Sequence, residues 1–308
     1  MKILITGGAG YIGTELVYEL MKHAEKISEV IVYDNLSRGN YNLFIGKQKL
    51  PADKIRFVQG DLLDTRKLKK TLQGVDIVFH LAAKVSTPFA HENPHLFEQI
   101  NHWGTAELVY ALEDHPVKKF IYASSVSVYG SSSQEVDIDS PIHPDTFYGI
   151  SKMRGEEHVQ RMFSKMPTYI LRLGNVYGYS KSMRFDAVIN RFMFDAHFNK
   201  RITINGDGEQ HRAFIHIDKT ANLLGHLALT EKLKPGRYDV VEDNLSVNYI
   251  AEKLMEIYPG LEMIFVNQNM QLRDLRVKPN AEVNKAIDIP VRTLAEVLTQ
   301  FKQEFSVV

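Results

Sequence analysis

Short apolar runs rich in β-branched and aromatic residues alternate with stretches of helical period through the first half of the chain. Ile3–Thr6, Val30–Asp34, Ile55–Gly60, Ile77–Leu81, Phe120–Ser124 and Thr168–Leu173 are the strand candidates, and Glu15–His23 and Phe97–Glu113 carry helix-like spacing between them. This alternation predicts an α/β fold, a doubly wound parallel sheet covered by helices on both faces. After Gly174 the rhythm changes. Arg191–Asn199 reads as a helix, Arg201–Asn205 as extended chain, Gly206-Asp207-Gly208 as a turn, Ala213–Ile217 as a strand and Lys219–Leu229 as a helix. Ser246–Ile257 and Thr293–Phe301 add two more helices. No repeat period and no low-complexity linker interrupts the chain, so the second half is predicted to be a smaller lobe packed on the first. In open α/β sheets such a lobe covers ligands outside the carboxyl ends of the strands.

Composition narrows the function. The 308 residues suit two domains, or one with an appended lobe, and 44% hydrophobic with 24% charged residues excludes a disordered or fibrous chain. Lys+Arg and Asp+Glu are equal at 37 each, so no basic field grips nucleic acid or anionic lipid, and any anion must be bound by local geometry. Cysteine is absent, which removes disulfides, thiolate metal sites and thiol nucleophiles and fits a reducing compartment. The N-terminal apolar stretch is too short for a signal peptide and no run approaches the roughly 18 residues of a membrane span. The expectation is a soluble, cytoplasmic protein with no nucleic-acid or membrane partner.

Thr6-Gly-Gly-Ala-Gly-Tyr-Ile-Gly13 follows the first strand and opens a helix. Gly7, Gly10 and Gly13 let backbone N–H groups, including those of Tyr11 and Ile12, approach a pyrophosphate at the positive end of the helix. Asp34 ends the second strand 21 residues after Gly13, where it can accept from both hydroxyls of an adenosine ribose and repel a 2′-phosphate. Together they predict an NAD site. Asn35 stands beside Asp34; Asp61 and Leu62, after the third strand, are expected near the adenine; Leu81, Ala82, Ala83 and Lys84 end the fourth, where small residues either leave room for a cofactor or serve ordinary buried packing.

The candidate chemistry lies further on. Tyr148 and Lys152 are four apart on one helix face, and Ser124 and Ser125 precede them at a strand end. A phenol is a poor base at neutral pH, and lowering its pKa by three units takes about 4 kcal/mol of preferential phenolate stabilisation. An adjacent lysine and a cationic nicotinamide ring can supply it. Among the twelve histidines, His91 and His95 have Pro94 between them, which breaks helical register, and His211 and His216 lack a third ligand nearby, so no metal site is predicted.

In order, the glycine string, Asp34-Asn-Leu-Ser-Arg-Gly39, His80-Leu-Ala-Ala83, Asn101 with Gly104-Thr105, Ser124-Ser-Val-Ser-Val-Tyr-Gly130, Tyr148-x-x-x-Lys152, Leu171-Arg-Leu-Gly-Asn-Val-Tyr-Gly178 and Gly206-Asp-Gly-Glu-Gln-His-Arg-Ala-Phe-Ile-His216 resemble the extended short-chain dehydrogenase/reductase family. The nucleotide-sugar epimerase/dehydratase branch is the nearest match. The resemblance implies a Rossmann domain over residues 1–173, with return elements near 212–229 and 237–242, and a mainly substrate-binding α/β lobe over 174–308. It implies a homodimer. It also implies that Asn101 and Ser124 belong to the cofactor site, that Lys152 holds the nicotinamide ribose, that Tyr148 is the acid/base and that Ser125 bonds the reacting sugar hydroxyl. Asn175 and Arg212 would hold a nucleotide diphosphate. Arg273 or Arg276 is either a second anchor, since a planar guanidinium meets phosphate oxygens in pairs, or a solvated charge. Ser86 and Thr87 could meet the hexose or cap a turn.

Dehydrating members carry Asp and Glu directly after the catalytic Ser/Thr, and decarboxylating members a Glu two positions after it. Here Val126 and Ser127 follow Ser125, so the second acid/base group is missing. Epimerisation at C4 of a UDP-hexose through a transient 4-keto sugar is the expected reaction. A keto-sugar reductase or dehydrogenase using the same residues is the alternative, and a non-catalytic dinucleotide sensor, which has no need of a tuned phenol, is a third. Asn205 stands where an aromatic or apolar residue commonly precedes Gly-Asp-Gly.

Overall fold

The computed structural model describes residues 1–45, 49–85, 93–267 and 272–307. The chain runs β1 (Lys2–Thr6), α1 (Tyr11–Met21), β2 (Glu29–Asp34), β3 (Ile55–Gln59), α2 (Thr65–Leu72), β4 (Ile77–His80), α3 (Pro94–Phe97), α4 (Gly104–Asp114), β5 (Lys119–Ser125), α5 (Phe147–Gln160) and β6 (Thr168–Leu173). There follow β7 (Asn175–Tyr177), α6 (Val188–Phe194), β8 (Arg201–Asn205), β9 (His211–His216), α7 (Ile217–Leu229), β10 (Gly236–Val240), β11 (Asp243–Ser246), α8 (Val247–Ile257), β12 (Glu262–Val266), α9 (Ala281–Ala286) and α10 (Leu294–Gln303).

Seven strands form one sheet in the order β10-β6-β5-β4-β1-β2-β3, every neighbouring pair parallel. The period-2 geometry of β1 divides its side chains between two cores. Ile3 and Ile5 pack with Leu16, Val17 and Leu20 of α1 and Leu223, Leu224 and Leu227 of α7. Leu4 packs on the opposite face with Leu68 and Leu72 of α2, Leu108 and Leu112 of α4 and Val159 of α5. Strand order reverses between β1 and β4, and in open α/β sheets ligands bind outside the carboxyl ends of the strands at such a point.

Two small sheets, β11-β9-β7 and β12-β8, stand beside the large one. A third core, including Ile189, Phe192, Ile202, Ile204, Ile250, Leu254, Leu298 and Phe301, joins α6, β8, α8 and α10. The chain crosses between the halves more than once. β10 pairs with β6 in the main sheet, α7 packs on α1, and the backbone of Val136 pairs with that of Val277. Among the described residues no helix is long and apolar enough to cross a membrane, and no three His, Cys, Asp or Glu side chains cluster as metal ligands.

The structure moves several boundaries. The first helix begins at Tyr11, because its first turn lies in the glycine-rich string where no apolar period is visible. The stretch expected as one helix over Phe97–Glu113 is divided into α3, a π-helical turn over Glu98–Trp103, and α4. That wide turn holds Asn101, whose amide is bonded to neighbouring chain, and π turns of this sort accompany functional sites. The helix expected over Arg191–Asn199 likewise begins at Val188 and ends in a π turn over Asp195–Asn199.

Candidate active site

The glycine turn meets the fourth strand without space for side chains. Gly7 has φ +72°, and a methyl group on it would lie 2.6 Å from the backbone of Ala82; one on Gly13 would lie 2.6 Å from the Gly7 carbonyl oxygen. The N-cap of α1 is Gly10, which offers no side-chain acceptor, so the first N–H groups of the helix, Tyr11 and Ile12 among them, remain to meet an anion. The Tyr11 side chain does not point to the crevice. Its hydroxyl donates to the Gly178 carbonyl at 2.5 Å and burial pushes its pKa far up, so only its backbone can serve a cofactor.

At the end of β2, the Asp34 carboxylate accepts from the backbone N–H groups of Ala9 (3.1 Å) and Leu36 (2.8 Å), which ties it to the glycine loop. Burial raises its pKa. Asn35 Nδ2 donates to Asp61 Oδ2 at 2.9 Å, bringing together the two residues expected around the adenosine, with Leu62 buried beside Gly104. Arg38 reaches Asp186 at 3.8 Å, a counter-charge of its own. The cradle fits a dinucleotide pyrophosphate with a free ribose diol. Asn101 is fully buried and brackets the end of the fourth strand: its Oδ1 accepts from the N–H of Lys84 (2.8 Å), and its Nδ2 donates to the Lys84 carbonyl (2.9 Å) and to Ser151 Oγ (3.0 Å). It shapes the loop carrying Leu81, Ala82, Ala83 and Lys84.

Thr146 caps α5 by accepting from the Gly149 N–H, and the helix then presents Tyr148 and Lys152 toward the end of β5. Burial pushes the Tyr148 phenol up, against the nearby Ser125 hydroxyl and the charges of Arg184 and Arg273, which pull it down. Arg184 and Arg273 thus add to the positive field on the phenol, beside the lysine one turn along the helix. Lys152 is buried, donates from Nζ to the Ala123 carbonyl at 2.7 Å and lies 4.8 Å from the centre of the Tyr122 ring. Burial lowers its pKa to about 7, with the Glu156 charge opposing. Ser125 Oγ accepts from the Ser127 N–H at 3.2 Å. The Ser124 hydroxyl turns inward to Glu156 at 2.5 Å, which leaves its backbone as the part that can serve a cofactor.

Arg212 and Arg273 come together. Each is partly buried, and Arg212 is lowered to about 10 by burial and by the like charge of Arg273. Arg273 donates to Ser127 Oγ at 3.3 Å and has Asp145 at 3.6 Å. Two guanidinium groups that repel each other across a crevice suit an anionic ligand between them. Arg276 turns away, to the Ser133 carbonyl. Asn175 is exposed at the start of β7 and donates to the Ala213 carbonyl at 2.9 Å. Ser86 and Thr87 lie outside the described residues.

The sequence of the chain is matched over residues 3–240 by the profile of the NAD dependent epimerase/dehydratase family. The chain belongs to that family. An uncharacterized UDP-glucose epimerase of Bacillus subtilis is 34% identical to it over 222 residues, covering 70% of this chain and 69% of the relative. A human dTDP-D-glucose 4,6-dehydratase is 31% identical over 83% of this chain and 73% of its own length. Among solved structures, the UDP-glucuronic acid 4-epimerase of Bacillus cereus, in complex with UDP-glucuronic acid and NAD, superposes with a TM-score of 0.86 at 27% identity, covering 98% of both chains. The enzyme is an NAD-dependent member of the extended short-chain dehydrogenase/reductase type.

Sequence reasoning missed Arg184, which is held bidentately by Asp186 (3.0 and 2.8 Å) and contributes to the field on Tyr148. Nothing local distinguishes it. It also missed the buried partners Glu156, Arg172, Tyr129 and Asp239 of this epimerase/dehydratase, although an arginine inside the apolar strand Tyr169-Ile-Leu-Arg-Leu173 was a readable signal. Asp239, on β10, is raised to about 6 by burial and by the charges of Glu156 and Asp137, against the Tyr129 hydrogen bond and Arg172. The folded protein therefore binds this proton more tightly than the unfolded chain, whose value is about 4, so stability falls as pH rises through that window and the penalty is complete above it. Asp239→Asn is expected to stabilise the enzyme by about 1–3 kcal/mol near pH 8 and to bring no gain near pH 4. Urea unfolding at the two pH values checks it, and an equal effect at both would remove the titration account.

Proposed function

We infer that the chain is a nucleotide-sugar 4-epimerase acting on a UDP-hexose through a transient 4-keto sugar. The observation that carries this reading is the convergence of Ser125 and the Tyr148 phenol at the crevice, with Lys152 one turn along α5, while the two positions after Ser125 hold Val126 and Ser127. Val126 is buried among Val128, Tyr129 and Leu275, and Ser127 is engaged by Arg273. Neither can move a proton on a second carbon, which dehydration of the kind named for the human relative requires.

Bound NAD supplies the hydride acceptor and donor. The backbone N–H groups after Gly10 would hold its pyrophosphate, Asp34 its adenosine ribose, and Lys152 its nicotinamide ribose. Ser125 hydrogen-bonds the C4 hydroxyl, and Tyr148 takes the hydroxyl proton as that carbon becomes a ketone and later returns it. Arg212 and Arg273 hold the diphosphate as planar forks, with Asn175 beside them, and leave the hexose loose enough to turn its other face. Residues 174–308 act mainly as the substrate lobe, except where β10 and α7 return to the first. The enzyme works in the cytoplasm as a homodimer.

Incubation of the purified enzyme with UDP-galactose, UDP-N-acetylglucosamine or UDP-glucuronate, without added cofactor, should yield the C4 epimer of at least one of them by NMR. Turnover only in step with consumption of added NADH, and no epimer, would replace the epimerase by a reductase.

A further inference from the structure

A chain of buried polar side chains runs behind the carboxyl end of β5. Ser124 Oγ donates to Glu156 at 2.5 Å, Arg172 donates to the same carboxylate from Nε (3.0 Å) and Nη2 (2.8 Å), and Arg172 Nη1 donates to the Tyr129 hydroxyl at 2.9 Å. Tyr129 in turn donates to the Asp239 carboxylate at 2.8 Å. All five residues are buried. They come from β5, α5, β6, the 3₁₀ turn Val126–Tyr129 and β10. Glu156 lies one turn beyond Lys152 on the helix that also carries Tyr148, and its partner Ser124 adjoins Ser125. One carboxylate thus ties α5 to β5 where the reacting side chains must keep register.

We propose that Glu156 is the positioning residue of this site, fixing α5 against the end of β5 and supplying the negative charge that accompanies the buried ammonium of Lys152. The inference rests on the reading of Lys152 as a holder of the NAD ribose. The groups facing that ammonium are few. Ala123 gives a carbonyl and Tyr122 the face of its ring, both from β5; Tyr148 stands one turn earlier on α5. His80, from β4, is pushed down to about 3 by burial and by the lysine's own charge, so it adds no cation. Glu156 is the carboxylate whose field acts on Lys152, and Arg172, from β6, lies on its far side. Without the Glu156 charge, burial and the remaining Arg172 cation would drive the proton from Lys152 at lower pH.

Calorimetric titration of NAD into the purified protein freed of bound dinucleotide, from about pH 5 to alkaline pH, reads this without any sugar substrate. Wild-type affinity should weaken above the pH at which Lys152 loses its proton. Glu156→Gln should move that inflection down by about one pH unit. Glu156→Asp, which keeps the charge and shortens the reach, should leave the inflection in place while lowering the unfolding temperature. Should Glu156→Gln fail to fold, Glu156→Gln combined with Arg172→Met removes both buried charges and should still show the downward shift. An unmoved inflection in the folded variant overturns the proposal, as does a wild-type protein with no inflection at all. A shift seen in a protein that epimerises no sugar leaves this inference standing and overturns the proposed reaction instead.

Discussion

Tyr148→Phe should bind NAD as the wild type does and lose turnover by about 10²–10⁴-fold, the range that general acid–base catalysis supplies. The ring stays, so packing against Phe97, 6.4 Å away between centres, is kept, and only the hydroxyl that carries the proton is removed. Burial holds the phenol above its ordinary value, and Ser125, Arg184 and Arg273 only moderate this. Further positive charge beside it would be needed to make the phenol a base near neutral pH. Single-turnover assays with NAD affinity measured in parallel check the prediction. Turnover within tenfold of wild type would transfer the acid/base role elsewhere.

Arg172→Met should cost about 3–5 kcal/mol of folding stability near neutral pH, because it leaves a buried carboxylate without its cation. Arg172 and Glu156 have side chains 0% and 1% exposed, one on β6 and the other on α5. Met keeps the length of the side chain while giving up the donors to Glu156 and Tyr129. Urea unfolding measures the loss. A change under about 1 kcal/mol would mean that the pair adds little to stability.

Much of this arrangement was readable in one dimension. Thr6 to Gly13 announced strand, turn and helix together, because glycine at a crowded crossing and a phosphate-binding helix start are both consequences of adjacent residues. The Tyr148/Lys152 spacing was equally visible, since residues four apart share a helix face whatever packs around them. Side-chain direction was not. Tyr11 and Ser124 sit in the expected strings, yet their hydroxyls go to Gly178 and Glu156, partners 167 and 32 residues away. The π turn at Asn101 also escaped, because the apolar period continues through it while the backbone widens to let the amide grip Lys84.

The linear order of residues decided the alternating α/β architecture, the glycine turn that opens α1 and the placing of Tyr148 and Lys152 on one helix face, all of which depend on interactions within a few residues. Folding decided the rest. It set Arg212 against Arg273, brought Arg184 to bear on Tyr148, and joined Asp239 to Ser124 through three intervening side chains. The reason is that burial and charge act across space: the pKa of Lys152 and the direction of the Ser124 hydroxyl are properties of what the sheet and helices place around them, and no neighbouring residue in the chain carries that information.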